Sequence, residues 1–76
     1  MNDLKEIGEL LKETRTQNGV SIEEAAEDLN YKVSQLESVE NGDYKAFKDI
    51  FLLKCIITDY SKYLGLDSDA IIDEFN

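Results

Sequence analysis

Apolar residues recur along this chain at three- and four-residue intervals, the spacing of helices with one buried face. Leu4, Ile7 and Leu11, widened by Leu10 and Thr14, make a first stripe, with Lys5, Lys12 and Arg15 off it. The stripe predicts a helix from about Asp3 to Asn18, and Gly19 supplies the left-handed residue that commonly ends one. Ser21 opens a second helix with Glu24 three residues on, the spacing of a capping box. Ile22, Ala25, Ala26 and Leu29 turn inward there, and the two alanines allow another helix to come close. A polar break at Asn30 and Tyr31 follows. A third helix begins at Lys32 or Val33, carries Val33, Leu36 and Val39 on its apolar side, and runs to Glu40 before Gly42 stops it.

The connector from Asp43 to Lys48 holds Tyr44 and Phe47, two expected plugs for the core. Asp49 caps a long fourth helix, about 49–64, with Leu53, Ile56, Ile57, Tyr60 and Leu64 facing inward and Gly65 as its stop. Asp67 or Ser68 caps a last helix, about 68–75, whose Ile71, Ile72 and Phe75 fold back. The expected fold is all-α: five helices in a single domain over residues 1–76, with a helix-turn-helix at about 21–42. No repeat, linker or low-complexity segment interrupts it.

Composition narrows the chemistry. Seventy-six residues enclose only a modest core, and the absence of proline with only four glycines suits a helical chain. One cysteine, Cys55, excludes an internal disulfide, and no histidine is present to help bind zinc or to activate a nucleophile. Asp67, Ser68, Asp69 and Asp73 hint at a calcium loop, but Ile72 stands where the turn glycine belongs. The reading is therefore a protein without catalysis, metal or cofactor. The longest apolar run, Ile50 to Ile57, is broken by Lys54 and too short for a membrane span, and no signal peptide is evident, so a soluble cytoplasmic location is expected.

Charge bears on the helix-turn-helix, a frame that commonly lays its second helix in the DNA major groove. On that reading Lys32, Ser34, Gln35 and Ser38 would reach DNA, beside Val33 and Glu37. Yet residues 21–43 hold seven acids against Lys32, and the whole chain carries −9. Phosphate attraction supplies most non-specific DNA affinity, so this charge disfavours DNA as the partner.

The fourth helix points elsewhere. Seven of the eight residues from Ile50 to Ile57 are apolar, more than one inward stripe needs. Phe51, Leu52 and Cys55 are the expected exposed share, with Lys48, Lys54, Asp59 and Lys62 as a charged rim, the composition of a protein contact. Cys55, among apolar neighbours and without a base, reads as an inert packing residue.

Three segments together carry a resemblance: LLKETRTQNGVSIEEAAEDLNYKVSQLESVENGDY, the helix ending DYSKYLGLD, and the closing SDAIIDEF. Over residues 4–75 the chain resembles the N-terminal cytoplasmic domain of the RodZ family of bacterial cell-shape proteins, within the wider Xre or phage-repressor helix-turn-helix group. The pairing of ENGDY with Tyr60 to Asp67 is the more specific part. That resemblance implies docking to an actin-like filament protein of the MreB type through the fourth helix, and a membrane anchor following Asn76 in the full protein. Phe51, Leu52 and Ile56 are the apolar anchors it suggests. The chain departs from the family in carrying Ala46-Phe47-Lys48 in place of a Leu-Pro element, and Cys55-Ile56 in place of glycine and an aromatic.

Overall fold

A computed structural model describes residues 3–75. Helix α1 spans Leu4–Gln17, and the Asp3 carboxylate accepts from the Glu6 amide at 3.1 Å, satisfying one of the orphan donors of its first turn. Gly19, at φ 72°, reverses the chain. Helix α2 spans Ile22–Leu29 and shows the serine half of the expected capping box, Ser21 Oγ accepting from the Glu24 amide at 3.1 Å. Asn30 closes α2 in the left-handed region at φ 63°, a conformation asparagine tolerates better than most residues. Helix α3 spans Val33–Glu40, and a single 3-10 turn, Tyr44–Ala46, leads into the connector.

Helix α4 spans Ile50–Tyr63, with Asp49 Oδ1 accepting from the Phe51 amide at 2.9 Å. Helix α5 spans Ser68–Phe75, and Asp67 Oδ1 accepts from the Ala70 amide at 3.2 Å. No strand occurs among the described residues. The fold is all-α, as the periodicity predicts.

All five helices contribute to one buried cluster. Leu4, Ile7 and Leu11 come from α1, Ala25 and Ala26 from α2, Leu36 and Val39 from α3, and Ile71 from α5. Helix α4 gives the largest share, with Leu53, Ile56, Ile57 and Tyr60 fully buried and Leu64 just beyond its end. Burying one such side chain stabilises the fold by about 1.5–3 kcal/mol, so α4 contributes more to the core than any other helix. Helix α5 folds back on α4, and α1 packs on α3.

The α1–α3 contact is close because of Gly8. A Cβ there would lie 2.3 Å from the Val39 carbonyl oxygen and 2.6 Å from that of Glu40, both backbone atoms. The spacing rule for α1 did not mark this position.

Four expectations about side chains need correcting. Leu10 is 42% exposed, since it sits at the edge of the α1 stripe, whereas Thr14 is half-buried and donates to the Leu10 carbonyl at 2.7 Å. Tyr44 is 59% exposed and plugs nothing; Phe47 alone of that pair packs against the core. Cys55 is exposed, so it has no packing role. Ile56 is fully buried and offers no surface to a partner.

Candidate docking face on the fourth helix

The orientation of α4 is set from beneath. Tyr60 points inward and donates its hydroxyl hydrogen to Glu40 Oε2 on α3. The same carboxylate is forked by Arg15 of α1, Nε at 2.7 Å from Oε2 and Nη2 at 3.2 Å from Oε1, while Arg15 Nη1 donates to the Val20 carbonyl at 2.9 Å. This buried node ties three helices, and the carboxylate has partners on both oxygens, as a buried charge requires. The hydrogen bond with Glu40 holds the Arg15 pKa above its usual value. Burial, then the bond to Glu40, pushes the Tyr60 phenol well above its ordinary range.

Sequence reasoning missed this node, placing Arg15 off the apolar stripe and naming Glu40 only as the end of the third helix. A signal was there. Arg15, Glu40 and Tyr60 each stand four residues after a fully buried residue, Leu11, Leu36 and Ile56, and so extend three inner stripes by one turn.

Two further bonds clasp α4 to the helix-turn-helix. Tyr31, in the turn between α2 and α3, donates to Asp59 Oδ2 at 2.6 Å. Tyr63 of α4 donates to Asp28 Oδ2 of α2, also at 2.6 Å. Burial and the Asp59 bond push the Tyr31 phenol up to about 12; for Tyr63 the bond to Asp28 leads, again to about 12.

With its inner face so fixed, α4 turns Phe51, Cys55 and Lys62 outward. Their spacing of four and then seven residues lines them along one edge of the helix. Leu52 and Asp59, seven apart, lie on the flank of that line. Phe51 is 74% exposed, Leu52 38% and Ile50 49%. With Tyr44 these are four of the five exposed large apolar side chains among the described residues, gathered in nine positions of sequence. Such clustering, rather than any single exposed residue, makes this face the candidate contact surface.

Of the expected docking residues, the structure brings Phe51, Leu52 and Cys55 to the surface, with Lys48 and Lys62 exposed and Lys54 half-buried. Asp59 is exposed but engaged by Tyr31, and Ile56 lies beneath. Ile50 and Tyr44 join the apolar share; Tyr44 was expected in the core, and Ile50 was assigned to neither side of the helix.

The alternative set lies on the first turns of α3. Lys32 and Ser34 are exposed, and Ser38 and Gln35 are half-buried. Gln35 Oε1 accepts from the Lys32 amide at 2.9 Å, so its carbonyl oxygen is taken up in starting the helix. Glu37 on the same helix and Glu23, Glu24, Glu27 and Asp28 on α2, which packs against it, are all exposed. A phosphate backbone would meet repulsion there. A cleft of about 190 Å³ between α1 and α5, lined by Glu6, Ile7, Leu10, Ile71 and Glu74, lies apart from both surfaces.

The family model of the helix-turn-helix domain matches residues 10–71. The chain belongs to that family. No curated protein matches it. Among solved structures it is similar to RodZ in an assembly of bacterial actin MreB in complex with the cell shape protein RodZ, at 28% identity and a TM-score of 0.88. The match covers 95% of this chain and 88% of that one. The resemblance drawn from ENGDY and the Tyr60–Asp67 segment thus holds across the whole fold. No helix among the described residues is long and apolar enough to cross a membrane.

Proposed function

We propose that this helix-turn-helix domain is a non-enzymatic docking module of the bacterial cytoplasm that binds an MreB-like actin filament through α4, as part of cell-shape maintenance. The observation that carries the reading is the outward line of Phe51 and Cys55, flanked by Leu52, on a fold that matches the RodZ domain at a TM-score of 0.88. Phe51 and Leu52 are the apolar anchors, with Cys55 one turn beyond Phe51; Lys48, Lys54 and Lys62 form the rim. Ile56 supports the face from below, and Asp59 contributes chiefly by holding Tyr31. The helix-turn-helix acts as scaffold, since its acidic recognition surface opposes DNA.

Co-sedimentation with the polymerised actin-like protein of the same organism tests this. The domain pellets with filaments, and Phe51→Asp and Leu52→Asp each abolish pelleting while keeping the helical circular dichroism of the parent. Failure of the parent domain to pellet overturns the reading. Salt-sensitive binding to duplex DNA would put a transcriptional regulator acting through Lys32, Ser34, Gln35 and Ser38 in its place.

A further inference from the structure

Charge is distributed unevenly over this protein, and the uneven part coincides with the exposed apolar cluster. From Tyr44 to Tyr63 there are four lysines, Lys45, Lys48, Lys54 and Lys62, against two aspartates, a net +2. The rest of the chain carries the other four bases against fifteen acids, a net −11. Both aspartates of the segment are exposed, and each accepts a hydrogen bond from within the domain. Asp49 Oδ1 accepts from the Phe51 amide at 2.9 Å, and Asp59 Oδ2 accepts from the Tyr31 hydroxyl at 2.6 Å. None of the four lysines takes part in an ion pair, the Arg15–Glu40 pair being the one salt bridge among the described residues.

Unpaired cations beside exposed Tyr44, Ile50, Phe51 and Leu52 define a basic, apolar island on an acidic body. Resting on the docking reading above, we propose that this island selects its partner by charge. The complementary patch on the filament protein is an apolar depression bordered by carboxylates, with Phe51 in the depression and Lys45, Lys48 and Lys62 facing the acids. Scattered lysines on a neutral surface would be ordinary solvation. Here the surrounding acid gives them a consequence, because the faces of α2 and α5, with Glu23, Glu24, Glu27, Asp69, Asp73 and Glu74 exposed, repel the same acidic patch. The field therefore orients the domain before contact, with α4 leading. Steering of this kind acts on the association rate, while the apolar anchors govern how long the complex lasts.

The test measures association and dissociation rates with the polymerised actin-like protein between low and high salt. The parent protein is compared with Lys45→Gln/Lys48→Gln/Lys62→Gln and with Lys5→Gln/Lys12→Gln on α1 as a control for lysines lost outside the island. The expected result at low salt is an association rate lower by about tenfold in the triple variant, with a flattened salt dependence. Its dissociation rate stays within twofold of the parent, and the α1 control stays close to the parent in both rates. A triple variant that associates at the parent rate, while Phe51→Asp still abolishes binding, overturns the charge proposal and leaves the docking face standing. Faster association of the triple variant overturns it too, since the facing patch would then be basic. A parent domain that does not bind filaments overturns both.

Discussion

Tyr31 and Asp59 are 28 residues apart in sequence and joined by a 2.6 Å hydrogen bond that fastens the helix-turn-helix turn to the middle of α4. Its mirror arrangement, Tyr63 to Asp28, runs in the opposite sense, α4 supplying the donor and α2 the acceptor. Each partner thus lends one phenol and one carboxylate to the other.

Because the Tyr31 bond lies near the surface, its loss is mild. Tyr31→Phe lowers stability by about 1 kcal/mol or less, a fall in Tm of a few degrees for a domain of this size. Thermal denaturation followed at 222 nm measures it, and an unchanged Tm would show the bond to be idle.

The buried node behaves differently. Arg15→Ala leaves the Glu40 carboxylate enclosed without its counter-charge and costs about 3–5 kcal/mol. Arg15→Ala/Glu40→Ala removes the orphaned charge as well and costs less than the two single changes added together. Urea denaturation of the four proteins in this cycle gives the coupling.

Alkaline pH weakens the fold through its tyrosines. The folded phenols of Tyr31 and Tyr63 are held up to about 12, and that of Tyr60 is raised as well, above the value near 10 of an unfolded chain. Below pH 10 both states keep these protons and the tyrosine contribution is fully present. As pH climbs from 10 towards 12 the unfolded chain releases protons that the folded one retains, and stability declines. Urea midpoints fall across that window, and fall less steeply in Tyr60→Phe.

Gly8→Ala tests the close approach of α1 to the end of α3. Alanine is the better helix former by about 1 kcal/mol, yet its methyl would meet two backbone carbonyls that cannot swing aside. Crowding outweighs propensity, and a net loss of about 1–3 kcal/mol is expected. A Tm above that of the parent would mean that the helices separate at no cost.

Cys55 offers a chemical probe of the proposed docking face. Its thiol is exposed one turn from Phe51, so a bulky maleimide attaches without disturbing the core. The labelled protein keeps its Tm and ceases to pellet with filaments.

Much of this was legible in the residues. Helical spacing and caps such as Asp3, Ser21, Asp49 and Asp67 fixed the five helices nearly to the residue, since each cap is a local bond between neighbours. The inner face of α4 was read correctly for the same reason, as were Phe51 and Leu52 on its outside. What escaped depends on distant partners. Arg15 and Glu40 are charged residues that any local rule sends to solvent, and only their meeting across 25 residues permits burial. Gly8 looks like a weak helix residue until α3 is laid against it. Tyr44 was drawn inward by its hydropathy, though the short turn that carries it faces water. Ile56 was double-booked as core and anchor, and the core has it.

The hydroxyl of Tyr60 has a reach beyond the interior. Nine residues separate it from Phe51, about two and a half turns of helix, which sets the two side chains on opposite sides of α4. Pinning one at Glu40 fixes the azimuth of the other. Were the helix to roll by a third of a turn, Phe51 would slide toward its neighbours and a different edge would come uppermost. The carboxylate at the centre of the protein is thus a rotation stop, and what the molecule shows to the outside is dialled from within.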